Sequence, residues 1–346
     1  MPETSTHPTA AASATKEKIL WLSIVQGWAI LLVVVGHVNC YTYAAEGEMY
    51  GLSTWVTRLC YAFHMPLFMF VSGGLLYYSR LAKGWSAKAV YADKFKRLVL
   101  PYLFFILLAM VLKGVLGGYS KRGAVDISLP TYLSALFNPS EGPLAEMWFV
   151  ATLLWFMVMY PLFRWSMRNQ YLEMGLLAVT LLPFIAGMPW DTNGWFNLGG
   201  VPRYAFYFFG GMLFFKYRLY RYAQGRVWVA AVLTGLFLAC VFAQRDGSAF
   251  TATAGILMSV AWGVIAEERF PRLFSSFRDY SFQIFLIGIF PQMFLELFLW
   301  RRFPYEGLQI PFYIISCCAA LMTAVIVRKC VKRIPSRIAR RFFGLK

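Results

Sequence analysis

Charge is what this chain has least of: Asp, Glu, Lys and Arg make up 14% of its 346 residues, against 59% that are hydrophobic. An ordinary soluble domain carries about 25% charged residues, so so little charge excludes that class. Hydrophilic stretches are short as well. The longest connections, at 39–55 and 118–143, are too short to fold alone. No soluble catalytic domain is therefore expected, and any chemistry must use the apolar body. Cysteines are scattered at 40, 60, 240, 317, 318 and 330 without paired metal spacing, and read mostly as apolar packing residues. A disulfide is open to Cys40 and Cys60 but is not expected. No internal repeat points to a transporter of inverted-repeat design. Histidine occurs three times, at His7, His37 and His64.

What remains reads as an all-α, polytopic integral membrane protein. A span across roughly 30 Å of hydrocarbon needs about 20 apolar residues, and about ten candidates qualify, centred near residues 28, 67, 107, 154, 180, 209, 235, 258, 290 and 319. Pro183, Gly210, Gly211 and Gly255 are expected to interrupt the fifth to eighth of these. The first span, Trp21 to Asn39, is longer than the core of a signal peptide, and no small-residue cleavage site follows GHVNC, so it is expected to stay in the membrane. Three segments are expected: a small, polar, disordered tail at 1–17, a membrane domain at 18–330 and a basic tail at 331–346.

Lys and Arg should favour the cytoplasmic loops. Counting alternate loops puts 25 of the 33 on one side and 5 on the other, with Arg58, Lys113 and Arg203 left over. Both termini are therefore expected in the cytoplasm. The formal charge of +17 is then met by anionic lipid headgroups, and nucleic acid is not expected as a partner. The run VRKCVKRIPSRIARRFFGLK reads as an interfacial helix on the inner leaflet.

Ionisable groups inside a bilayer are expensive, so each is a functional-site hypothesis. His37 closes the first span and His64 sits about 12 Å along the second, by a rise of 1.5 Å per residue. The two imidazoles are expected to share a pocket in the outer half. Arg58, Glu146 beside Trp148, and Arg203 beside Tyr204 fall at comparable depth. Glu146 has two readings: it orients an imidazole, as a carboxylate does behind a catalytic histidine, or it pairs with Arg58 or Arg203. Glu296 has a simple partner in Arg301. In DKFKRLVLPYL, Lys94, Lys96 and Arg97 read either as a cytoplasmic anchor or as a grip on donor phosphates.

Six segments in one order resemble the membrane acyltransferase-3 family, which O-acylates sugars of polysaccharides, lipopolysaccharide and Nod-type glycans. They are the span ending GHVN, FHMPLFMFVSGGLL, KFKRLVLPYL, MWFVATLL, VPRYAFYFFGGMLF and YSFQIFLIGIFPQMF. The resemblance implies transfer of an acyl group, usually acetyl from acetyl-CoA, to a glycan hydroxyl, with no metal. It puts the first-span histidine on His37 and the histidine of the FHMPLF segment on His64. The cytoplasmic basic pair falls on Lys94 and Arg97, and the family's tryptophan and arginine fall on Trp148 and Arg203. Three positions depart from the pattern. Gln26 and Ser23 stand where a basic and an acidic residue are common, and Gly288 stands where many relatives have histidine.

The mechanism expected makes His37 the general base on the glycan hydroxyl, with His64 or Arg203 stabilising the oxyanion and Glu146 assisting. Lys94 and Arg97 would bind the CoA phosphates; Arg58, Trp148, Arg203 and Tyr204 would bind the acceptor. A route through acetyl-His37 is the alternative. Expected partners are membrane lipids, a glycan or polysaccharide acceptor and other polysaccharide biosynthesis proteins, in a bacterial cytoplasmic membrane. Two rival classes stand beside this one: a glycan or lipid-linked intermediate flippase, and a silent scaffold of a synthesis complex. The 12 Trp and 20 Tyr suit sugar stacking in either the enzyme or the flippase.

Overall fold

The computed structural model describes residues 19–42, 48–117, 124–187, 194–243 and 247–345. The tail at 1–17 with His7, and Lys16, Lys18, Lys121, Arg122, Arg245 and Lys346 of the loop count, lie outside the described residues.

The described residues fold as helices, with one exception. The fold opens on α1 (Leu20–Gly36), followed by a two-residue antiparallel pair, β1 (Tyr41–Thr42) and β2 (Glu48–Met49). Next come α2 (Gly51–Tyr61) and α3 (His64–Leu76), the latter continued by a π turn at Tyr77–Leu81. α4 (Ala87–Lys94) passes through a second π turn, Phe95–Val99, into α5 (Leu100–Val115). α6 (Leu129–Phe137), α7 (Trp148–Val158), α8 (Tyr160–Ser166) and α9 (Gln170–Ile185) follow, then α10 (Gly200–Lys216), α11 (Val227–Phe242) and α12 (Ala249–Arg269). The last are α13 (Ser281–Ile287), α14 (Ile289–Phe298), α15 (Gln309–Arg333) and α16 (Arg337–Phe342). Five starts carry a side-chain cap: Ser86, Ser128, Asn169, Ser248 and Ser336 each accept from a backbone N–H two or three residues on.

Every apolar centre read from the sequence falls on a helix, yet fewer helices than expected are long enough to cross a bilayer. Among the described residues four are: Gly51–Leu81, Ala87–Val115, Ala249–Arg269 and Glu306–Arg333. Two bent pairs bring the number to six. Ala145–Val158 meets Tyr160–Ser166 at 51°, and Arg278–Ile287 meets Ile289–Arg302 at 52°. Both bends have a proline cause: Pro161 and Pro291 have no N–H for the carbonyls of Met157 and Ile287. α1, α9 and α11 are apolar but short. A 17-residue helix is about 25 Å long, less than the hydrocarbon thickness.

None of the four residues expected to interrupt spans ends a helix: Pro183 lies inside α9 and Gly210 faces open space within α10, while Gly211 and Gly255 serve as contact points. α3 and α10 cross at backbone contact: a methyl at Gly73 would run into the Phe208 carbonyl, and one at Gly211 into the Phe70 carbonyl. Gly255 likewise leaves room for the Phe63 ring inside an unbroken α12. Neighbouring helices repay what glycine loses in propensity.

α1 is apolar all round because it is surrounded. It packs on α2, α3, α12, α13 and α15. Its ends are tied by distant side chains. At the start, Glu267 accepts from the Trp21 N–H at 3.3 Å; at the end, the buried Gln292 amide donates to the Val34 carbonyl at 2.7 Å. Beyond that end, Val38, Cys40, Trp300 and Phe312 form a second small core. Cys40 and Cys60 are both buried as free thiols.

In the basic tail, α16 folds back onto α5 after Ser336, placing Phe342 and Phe343 against Phe104 at 5.3 and 5.6 Å.

Candidate active site

Two helix ends meet where the histidines sit. His37 caps the C-terminus of α1, where carbonyls lack intrahelical partners, and its Nδ1 lies 2.8 Å from the Val33 carbonyl. His64 begins α3 after a break at Phe63, with Nδ1 2.7 Å from the Cys60 carbonyl. A carbonyl only accepts, so each Nδ1 carries the hydrogen, and in the neutral ring Nε2 keeps the lone pair. The rings stand edge to face, 6.5 Å apart, and Tyr61 contacts both, at 6.0 Å from His37 and 4.7 Å from His64. His64 is 2% exposed.

Glu146 comes from the tight turn Ala145–Met147 ahead of α7, and its Oε1 lies 4.0 Å from His37 Nε2. The orienting role expected of this carboxylate is already filled by the Val33 carbonyl on the other ring nitrogen. At 4.0 Å it is too far for a hydrogen bond. The ion pair with Arg58 or Arg203 does not form; the partner of Glu146 is His37.

A third wall is aromatic. Trp148 and Tyr204 stack at 5.5 Å with 21° between planes, and the Arg203 guanidinium lies 5.5 Å from the Tyr204 ring. A buried polar knot sets Trp148 in place. Asn197, 0% exposed, donates from Nδ2 to Thr152 Oγ1 at 2.6 Å and to the Trp148 carbonyl at 3.4 Å. Its φ of 54° is left-handed, a conformation asparagine tolerates better than most residues.

The two histidines, Glu146, Trp148, Arg203 and Tyr204 line a cavity of about 530 Å³ that also takes in Tyr61, Phe184, Tyr207 and Ser248. A second cavity, about 430 Å³, is walled by Leu112, Leu116, Ile289, Phe290 and Met293, with Lys113, Glu296 and Arg301 among its polar groups. His37, Asn39, Ala145 and Glu146 line both. The imidazole thus stands in a partition between a polar, aromatic chamber and a mostly apolar one. Among the described residues no three His, Cys, Asp or Glu side chains converge to hold a metal ion.

The basic segment lies at the other end of α5. Fifteen residues separate Arg97 from Leu112, about 22 Å of helix. Asp93 accepts from Arg80 Nη2 at 2.8 Å and pairs with Arg97 Nε at 3.2 Å, while Arg80 covers the Trp85 ring at 4.0 Å. A third cavity, about 290 Å³, opens here, lined by Asp93, Lys96 and Arg97 with Arg337, Arg340 and Arg341 of α16.

Of the residues singled out in the sequence, His37, His64, Glu146, Trp148, Arg203 and Tyr204 converge on one cavity. Arg58 does not join them: its guanidinium donates to the Val241 carbonyl at 2.9 Å and lies 5.1 Å from the Trp55 ring. Arg97 reaches the basic cavity with Lys96, and Lys94 is not among its lining residues. Two of the three departures from the family pattern, Ser23 and Gly288, have local accounts. Ser23 donates to Asp279 at 3.0 Å, so this position still meets a carboxylate, one brought from the turn before α13. At Gly288 a Cβ would point at the Ile284 carbonyl and Ala320, leaving little space for an imidazole. Sequence reasoning missed Tyr61, Asn197, Thr152, Gln292, Arg80 and Asp93. Only Tyr61, three residues before His64, carried a local signal.

Apolar helices around a partly polar interior that holds two histidines are the architecture of an integral membrane protein. A family model described as an acyltransferase domain matches residues 19–329, and the chain belongs to this acyltransferase-3 family. The chain is similar to the nodulation protein NolL of Mesorhizobium japonicum, 28% identical over 138 residues. That match takes in 40% of this chain and 34% of the relative's length, so the chain spans about a third of it. No solved structure matches the chain.

Proposed function

We propose that the protein is an O-acetyltransferase that moves an acetyl group from acetyl-CoA to a hydroxyl of a cell-surface or exported glycan. The observation that carries this reading is the partition: His37, with Nδ1–H committed to Val33, lines two cavities at once. In this reading the glycan occupies the aromatic chamber, its sugar face against the Trp148–Tyr204 stack. The acyl thioester arrives through the apolar chamber, and its phosphates stay at the Arg97 end of α5.

Nε2 of His37 takes the proton of the sugar hydroxyl as its oxygen attacks the thioester carbonyl. The resulting imidazolium is stabilised by Glu146, 4.0 Å away. Negative charge on the carbonyl oxygen falls to Arg203. A neutral His64 with its Nδ1–H already given to Cys60 offers a lone pair at Nε2, which does not suit an oxyanion. Collapse expels the CoA thiolate, which recovers the proton from His37, and an O-acetyl ester remains on the sugar. The Lys and Arg distribution supports a cytoplasmic Arg97 end, and so a donor entering from inside a bacterial inner membrane toward an outward-facing acceptor.

Mass spectrometry of surface glycans tests this reading. Cells with the wild-type chain should show an O-acetyl mass increment that is absent with His37→Gln at equal protein level. An unchanged glycan after deletion of the whole protein would instead favour the scaffold class, and transport of a glycan without CoA binding the flippase.

A further inference from the structure

We infer that the C-terminal helix α16 is part of the donor site, closing the basic cavity around a phosphate-ester anion with Arg337, Arg340 and Arg341. This rests on the acyl-CoA reading above and extends it to a segment well removed in sequence from the basic run before α5.

The first observation is how firmly a six-residue helix is held. Ser336 caps its start, accepting from Ala339 N at 3.3 Å. Phe342 and Phe343 pack on Phe104, and Phe343 also on Phe105 at 5.7 Å. Gln283 Nε2 donates to the Phe343 carbonyl at 3.1 Å. Gly344, at φ 69°, then turns the chain so that Leu345 is buried, and a Cβ there would strike the Phe282 ring. The anchor is apolar and backbone-made. It leaves the arginines free to serve something else, and their spacing of three and four residues puts them on one face.

The second observation is charge. Among the described residues, Lys96, Arg97, Arg337, Arg340 and Arg341 surround the cavity with a single carboxylate, Asp93, which already serves Arg80 and Arg97. Gathering five cations around one acid is unfavourable unless an anion joins them. Arg340 Nε is buried without a hydrogen-bond partner. Such a nitrogen costs free energy until an acceptor reaches it. At about 290 Å³ the space exceeds that of a few waters, each about 30 Å³. Guanidinium groups bind phosphate through paired N–H donors, so several of them select a ligand with more than one phosphate oxygen to offer.

A phosphate ester at a membrane boundary has two sources, the nucleotide end of CoA and an anionic lipid headgroup, and the experiment separates them. Full-length protein in phosphatidylcholine nanodiscs is titrated with CoA, 3′-dephospho-CoA and pantetheine. The variants are wild type, Arg337→Gln/Arg340→Gln/Arg341→Gln, and Phe342→Ala/Phe343→Ala, which releases the helix with its arginines intact. Both variants should weaken CoA at least tenfold, and the advantage of CoA over pantetheine should shrink to match. Monodispersity and thermal denaturation report whether each variant is folded, and the two reach the same prediction by different chemistry. Variants that bind CoA as wild type does overturn the inference and leave the acyltransferase reading standing. The same holds if they lose only retention by phosphatidylglycerol nanodiscs, since the ligand is then lipid. A wild-type protein that binds no CoA overturns both.

Discussion

The two ends of α5 handle charge in opposite ways. At the His37 end the polar side chains are committed to backbone: His37 to Val33, His64 to Cys60, Gln292 to Val34 and Asn197 to Trp148. What is left over is small and directed, a lone pair at Nε2 with one carboxylate 4.0 Å away. At the Arg97 end cations outnumber acids around an open cavity, and what is left over is diffuse positive charge. A site for proton transfer needs the first arrangement, because geometry decides whether a base reaches its proton. A grip on phosphate needs only the second. In the proposed reading, one helix joins a place for chemistry to a place for holding.

The difference can be broken at either end, and the effects should not be alike. The largest is expected at His37: His37→Gln should lower acetyl transfer by about 10²–10⁴-fold while CoA affinity stays within twofold, read by steady-state kinetics beside titration. Arg203→Gln should lower kcat by about 10²-fold with little change in KM for acetyl-CoA. An unaltered kcat would take the oxyanion role from Arg203. Arg97→Gln should do the reverse, raising that KM by roughly tenfold or more, the worth of one charge-assisted hydrogen bond, with kcat held. Asn197→Ala should cost about 1–3 kcal/mol of stability, measured by thermal denaturation in detergent, because it unties Trp148 and Thr152. Smallest is Arg58→Gln, which should change kcat/KM less than twofold, since its guanidinium serves Val241 outside the cavity. A large loss there would return Arg58 to the site.

Much of this contrast is legible in the sequence because it rests on cost. A histidine or arginine inside an apolar run is conspicuous, and six of the nine residues chosen for cost or resemblance line one cavity. The positions of the apolar segments are legible for the same reason. What is not legible depends on packing between distant parts. Gly211 and Gly255 look like breaks until Phe70 and Phe63 come against them. Asn197 looks like an ordinary loop asparagine until Thr152 arrives from 45 residues away. Lys94 and Arg97 share a face on a regular α-helix, but the π turn at Phe95–Val99 adds a residue to the turn and brings Lys96 in beside Arg97. The docking of α16 depends on Phe104 and Phe105, more than 230 residues earlier.

The claim on which the rest depends is that His37 is the base of an acyl transfer in which CoA is bound elsewhere. Purified full-length protein carrying His37→Gln, assayed for acetyl transfer from acetyl-CoA to an isolated surface glycan alongside CoA titration, tests it most directly. The account predicts binding like wild type with transfer down at least about 10²-fold. Transfer at the wild-type rate, at equal protein and with CoA still bound, would contradict it.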